Sequence, residues 1–152
     1  MTAKVRELMT PDVASCRRDD NLAAAAKQMW DRDCGILPVL DEAGHVMGVV
    51  TDRDICMAVA TRDRLASRIT VGEVTSGRLV GVGPEDGVHD ALARMRAHRV
   101  RRLPVVDDRG LLLGVLSLFD VILFAEAGGL PAGDITETLR AICAHRDVVV
   151  VA

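Results

Sequence analysis

Two short segments carry residue types that could hold a small molecule. One is Gly48-Val49-Val50-Thr51-Asp52-Arg53-Asp54, the other Gly114-Val115-Leu116-Ser117-Leu118-Phe119-Asp120. Each reads as a strand containing a glycine, then a hydroxyl residue, then an aspartate three positions on, at the start of a helix. A helix N-terminus offers free N–H groups and partial positive charge, which favour phosphate. An ionised aspartate accepts two hydrogen bonds and so can hold both hydroxyls of a ribose. The Thr or Ser hydroxyl can donate to a phosphate, and the strand glycine permits close approach to the backbone. The same spacing has a competing use. Thr or Ser followed three residues later by an acid is a helix capping box, which engages hydroxyl and carboxylate with backbone N–H groups. Spacing alone favours the cap; a cleft expected beside each motif moves the reading towards a ligand.

Two further pairs of segments belong to the same argument. Gly35-Ile36-Leu37-Pro38-Val39 and Arg101-Arg102-Leu103-Pro104-Val105 each read as a strand whose proline sits at a start or an edge. Their aliphatic side chains could sandwich a purine, although some must simply be core. The run His98-Arg99-Val100-Arg101-Arg102 could clamp phosphate bidentately, or be a solvated charged stretch. Its counterpart is Cys34-Gly35-Ile36, with Arg53 as a substitute. The second cleft is therefore expected to be the better anion site.

The elements that must position these residues come in duplicate. Shifting the sequence by 66 positions lays Val5–Ala58 over Val71–Phe124 without a gap. Val5, Glu7, Asp20, Ala25, Met29, Pro38, Val39, Asp41, Gly48 and Asp54 all meet identical residues. Such self-similarity marks a repeated structural unit. Each copy reads as strand, helix, strand, strand, helix. In the first, Val13–Cys16 is a strand, Asp20 an N-cap, and Leu22, Ala25, Ala26 and Met29 an apolar helical face. The second repeats this with Asp86, Val88, Ala91, Leu92 and Met95. Hairpins follow, turning at Asp41–Gly44 and Asp107–Gly110. The second helices start near Asp52 and Leu118. A copy of 54 residues is too small to stand alone. The copies are expected to pack sheet against sheet, share one interior, and leave two equivalent clefts about a pseudo-twofold axis.

Beyond Glu126, Gly128-Gly129 and Pro131 suggest a linker. Asp134 with Glu137 suggests a capping box, Ile135, Leu139, Ile142 and Cys143 an apolar stripe, and Val148–Val151 a strand. Contact with a partner chain is the preferred use of this segment, over capping the module's own core.

Composition narrows the function classes. A net charge of −3 and only three aromatics, Trp30, Phe119 and Phe124, argue against a nucleic-acid partner. No signal-peptide pattern follows Lys4 and Arg6, and the apolar stretch Leu111–Ala125 is too short to span a bilayer. A cytoplasmic location without a membrane partner is expected. Cys16, Cys34, Cys56 and Cys143 form no CxxC pair and are expected as buried thiols in a reducing compartment. Cys143-x-His145 is the one close Cys/His pair, so no metal is expected. No phosphate-binding glycine loop, dinucleotide fingerprint or serine elbow is present. No carboxylate pair stands out as acid and base, and no catalytic residues are assigned.

Taken together, the ordered motifs resemble tandem cystathionine-β-synthase (CBS) domains over roughly residues 4–126. The Met9-Thr10-Pro11 opening, the Leu-Pro-Val segments and the Gly-x-x-Thr/Ser-x-x-Asp segments carry the resemblance. It implies an α/β (α+β) fold of two pseudo-symmetric β-α-β-β-α repeats packed sheet to sheet. The repeats would span 1–66 and 67–126, with a C-terminal linker, helix and tail at 127–152. It also implies adenosine-containing ligands: AMP, ADP, ATP or S-adenosylmethionine. By the same resemblance Thr51, Asp54, Ser117 and Asp120 would contact phosphate and ribose. The base would lie near Val13, Ser15, Ile36 and Pro38, and near Val80, Val82, Arg102 and Pro104. Ser15 is matched by Gly81, which removes a hydroxyl from the second site. The family commonly forms disc-like homodimers. The expected function is a non-catalytic regulatory module signalling to an effector protein. The alternative is a ligand-free dimerisation or scaffold module whose Thr-x-x-Asp motifs are helix caps.

Overall fold

The computed structural model describes residues 3–75 and 77–144. The first copy comprises α1 (Val5–Leu8), β1 (Thr10–Pro11), β2 (Cys16–Arg17), α2 (Leu22–Asp31), the hairpin β3 (Ile36–Leu40) and β4 (Val46–Thr51), and α3 (Asp52–Arg62). The second comprises α4 (Val71–Val74), α5 (Val88–His98), β5 (Arg102–Val106), β6 (Leu112–Ser117) and α6 (Leu118–Glu126); α7 (Ala132–Cys143) follows. The β-α-β-β-α order therefore appears twice, the leading strand of the second copy shrinking to one parallel bridge, Val82 with Val105.

The first strand is shorter than Val13–Cys16. Asp12 at φ 51° breaks the extended backbone upstream, and only Cys16 and Arg17 pair with Val39 and Leu40. The helix caps also differ from expectation. Asn21, not Asp20, caps α2, accepting from the Ala24 N–H at 2.9 Å. Asp20 turns back to the Arg17 N–H at 2.8 Å. In the second copy Gly87 holds the cap position, and Asp86 accepts from the Gly83 N–H at 2.9 Å. Both aspartates close the preceding turn instead.

The hairpin turns are built alike. Asp41 accepts from the Ala43 and His45 N–H groups at 2.9 and 2.8 Å; Asp107 does the same with Arg109 and Leu111. Gly44 and Gly110, at φ 91° and 84°, supply the left-handed residue that closes each turn. The two turns meet, His45 bridging to Leu111, with the Val46 N–H donating to the Gly110 carbonyl at 3.0 Å.

The sheets are ordered β2-β3-β4 and β1-β6-β5. β1 thus leaves its own copy to pair with β6 of the other, Thr10 opposite Val115. The short helices are exchanged likewise. Val5 is buried among Leu92, Leu103, Val105 and Leu116 of the second copy. Val71 is buried among Leu22, Leu37, Val39 and Val50 of the first. Equivalent backbone bonds seat them: Val5 N–H to the Asp86 carbonyl, Val71 N–H to that of Asp20.

The buried apolar residues form two clusters, not the single shared interior expected. Strand alternation explains this. Leu37 and Val39 of β3 face their own helices. The opposite face carries Ile36 and Pro38, paired with Thr51 and Val49. Its counterpart carries Arg102 and Pro104, paired with Ser117 and Val115. On these two faces Pro38, Pro104 and Val115 are buried outside both clusters, while Ile36 and Arg102 border the clefts.

The described part of the C-terminal segment packs on its own chain, the use set second to partner contact. Ile135 is buried in the second cluster. Thr138 is fully buried, donating to the Asp134 carbonyl at 2.7 Å and accepting from Arg96 at 3.0 Å. The Asp134–Glu137 capping box does not form. α7 starts earlier, with Pro131 at its cap, and Asp134 pairs with His89 at 3.2 Å. Val148–Val151 lies outside the described residues.

Candidate ligand cleft

Thr51 and Asp54 sit where β4 runs into α3, and Ser117 and Asp120 where β6 runs into α6. Both pairs form complete capping boxes. Asp54 Oδ2 accepts from the Thr51 N–H at 2.9 Å and its hydroxyl at 2.8 Å, while the Asp54 N–H donates to Thr51 Oγ1 at 3.2 Å. The corresponding distances at Ser117 and Asp120 are 2.8, 2.7 and 3.1 Å. Among the described residues, Oδ1 of neither aspartate takes a hydrogen bond. One carboxylate oxygen at each motif therefore stays available to a ligand donor even with the cap formed.

The two motifs differ in what lies beside them. A cavity of about 420 Å³ is bounded by Gly35, Ile36, Val49 and Thr51 with Asp52 and Arg53 of the first copy. Arg99, Arg101 and Arg102 of the second copy form its other side, and Ile142 and Cys143 of α7 complete it. A neighbouring cavity of about 380 Å³ shares Ile36 and Arg102 and adds Val13 and Val115. A third, of about 540 Å³, opens past Trp30, Cys34 and Cys56 and again reaches Arg101 and Arg102. Arg102 lines all three.

Of the residues singled out in the sequence, Thr51, Ile36 and Arg102 meet in the first cavity, and Val13, Ile36 and Arg102 in the second. The other expected residues line none of these three. Asp54 lies behind Thr51 as its cap partner. Pro38 and Pro104 are buried on the faces between the sheets, Val82 is buried in the second core, and Val80 packs against that core. Ser15 is half-buried. Ser117 and Asp120 cap α6 away from these cavities.

The arginine run is displaced from where it was expected. Assigned to the second cleft, it faces the cavity beside Thr51 of the first copy. Arg99 adopts φ 53°, ending α5 and turning the chain across the pseudo-axis before β5 begins at Arg102. In this cavity Arg53, Arg99, Arg101 and Arg102 stand with one carboxylate, Asp52, whose Oδ1 accepts from the Arg53 N–H at 2.8 Å; Asp33 borders both adjoining cavities and Asp12 one of them. Among the described residues none of the four arginines has an ion-pair partner. At the positions matching Asp52 and Arg53 the second copy has Leu118 and Phe119. One motif thus borders a positive cavity; at the other, Leu118 is buried in the second core and Phe119 is exposed. The part of α7 in the cavity had no sequence signal, because nothing in the repeat indicates where a later helix will dock.

The cysteines are not uniformly buried: Cys16 is buried, Cys34 half-buried, Cys56 and Cys143 exposed. Burial, assisted by the charge of Asp20, pushes the Cys16 thiol up to about 12 and keeps it protonated and inert. Among the described residues, no group of three or more His, Cys, Asp or Glu side chains is placed to hold a metal ion. No helix there is long and apolar enough to cross a membrane.

The family model for the CBS domain matches residues 5–61 and 71–126. The chain belongs to the CBS domain family. The chain is 34% identical to "Uncharacterized protein YlbB" of Bacillus subtilis over 88% of this chain and 92% of that one. Among solved structures, Hypoxic Response Protein I, crystallised with two coordinated zinc ions, matches with a TM-score of 0.74 and 28% identity. That match covers 85% of this chain and all of the other; the protein of that name is from Mycobacterium tuberculosis. CBSX2, crystallised in complex with AMP, shares the fold with a TM-score of 0.76 and 22% identity, covering 84% of this chain and 99% of its own.

Proposed function

We propose that this CBS pair is a non-catalytic regulatory module that holds a phosphorylated adenosine ligand in the arginine-lined cleft beside Thr51. The observation that carries the reading is the set of four arginines, without ion-pair partners among the described residues, around one cavity at a helix N-terminus. Guanidinium groups bind phosphate oxygens bidentately, and Ile36 and Val49 give a purine apolar surface. The AMP complex of a protein with the same fold supports this ligand class. Within the class, AMP, ADP and ATP suit the positive cavity better than S-adenosylmethionine, whose sulfonium adds positive charge. Oδ1 of Asp54 is the group assigned to the ribose. The output passes to an effector protein in the cytoplasm. The exposed Met57 and Leu123, equivalent residues on α3 and α6, together with Phe119, support a homodimer, which sedimentation would report and Leu123→Lys would weaken.

The test is thermal unfolding with AMP, ADP, ATP and S-adenosylmethionine. A ligand at a hundred times its Kd adds about 2.7 kcal/mol, roughly 5–10 °C for a chain of this length. Arg102→Ala should abolish the shift while leaving the unliganded melting temperature nearly unchanged. Flat traces across the panel would favour a second reading, a ligand-free scaffold, which the two completed capping boxes support.

A further inference from the structure

We propose that the last turn of α7 is a third wall of the nucleotide cleft and contacts the nucleoside end of the ligand. This rests on the nucleotide reading above and assigns binding residues outside both CBS repeats, since the second match ends at residue 126. The body of α7 is anchored in the second repeat. Ile135 is buried in that core, Thr138 is held by Arg96, and Asp134 is paired with His89. That anchoring fixes where the helix ends, and it ends on the cavity: Ile142 and Cys143 border the space that Thr51, Arg53 and Arg99 also border.

The chemistry of this wall differs from that of the others. Ile142 carries no charge and extends the apolar surface of Ile36, Val49 and Val100, away from the repeats that supply the arginines. In α7 the Arg140 carbonyl accepts from the Ala144 N–H at 3.0 Å, and the carbonyls after it carry the negative end of the helix dipole. They repel phosphate and attract donors, and an adenosine has donors in its ribose hydroxyls and its amino group. The arginines take the phosphates. Attraction of phosphate to the arginines and its repulsion by the end of α7 would place the nucleoside towards α7.

Two measurements on the full chain test this. The first is calorimetric titration with ATP and with inorganic tripolyphosphate. Ile142→Ser should weaken ATP by about threefold or more and leave tripolyphosphate affinity as in the parent chain. The second needs no variant: iodoacetamide labelling read peptide by peptide, in which saturating ATP should slow modification of Cys143. Normal ATP affinity in the Ile142 variant together with unchanged Cys143 labelling would overturn the assignment of α7 while leaving the nucleotide site intact. Absence of any ATP or AMP isotherm with the parent chain would remove the nucleotide reading itself, and this inference with it.

Discussion

Thr51 and Asp54 illustrate how one set of atoms serves two ends. Three-residue spacing was legible in the sequence, and so were both of its uses, because a capping box and a ribose contact need the same hydroxyl and carboxylate. The structure fills the cap and leaves Oδ1 free, so the two uses are compatible. The cap has a measurable cost of removal. Asp54→Ala and Asp120→Ala should each lower stability by about 1 kcal/mol in urea unfolding, because each strips the same bonds from an equivalent helix start. Ligand binding should separate them. Only Asp54 holds a residue, Thr51, that lines the arginine cavity, so Asp54→Ala weakens ATP and Asp120→Ala does not. Equal loss of ATP affinity in both variants would refute the asymmetry. That asymmetry was misread in the sequence for a specific reason. The run Arg99–Arg102 belongs to the second copy along the chain but faces the first copy in space, and a repeat alignment records only the former.

At the scale of elements, the turn residues Asp41–Gly44 and Asp107–Gly110 marked the hairpins, and the helical spacing of Leu22, Ala25 and Met29 marked α2, because burial on one helix face leaves a periodic trace. The ends of elements left a weaker trace. Asp20 and Asn21 are adjacent and both are good caps, so the sequence could not say which one faces the helix and which closes the turn before it. The hairpin turn offers a test of its own. The His45 ring and the N–H groups of His45 and Ala43 hold the Asp41 carboxyl below its ordinary value. A carboxyl depressed in the folded state protonates more readily in the unfolded chain. Its contribution is therefore complete at neutral pH and is lost as the pH falls through and below the ordinary carboxylate range. Glu73, held low by the Thr70 N–H and by Arg64, acts in the same direction. Asp41→Asn keeps an oxygen that can accept the turn N–H groups but cannot titrate. Unfolding midpoints from about pH 6 to pH 3 should fall less steeply in this variant than in the parent chain. An identical slope would show that the turn does not contribute to acid sensitivity.

For the molecule as a whole, the exchange of α1 and α4 decides how the two repeats depend on each other. The duplicated sequence could not reveal it, since Val5 and Val71 align whether each helix stays in its own copy or crosses to the other. Each copy alone is below the size at which a core usually suffices. With the exchange, unfolding the second repeat releases α1 and β1 from it, and unfolding the first releases α4, so neither core can open without disturbing a segment continuous with the other. The joined hairpin turns add a second link, through His45 and Leu111. The two clusters should consequently unfold as one cooperative unit. Val5→Ala removes buried methyl groups from the second core and should cost about 1–3 kcal/mol. Although Val5 touches none of the first core, hydrogen exchange should accelerate at the slowest amides of both repeats, around Leu37 and Val50 as well as Leu103 and Leu116. Val71→Ala should give the same result from the other side. Acceleration confined to the repeat that receives the mutated helix would mean that the cores open independently. The cleft between them would then rest on two separately folding halves, and ligand binding would have to supply the coupling in place of the exchanged helices.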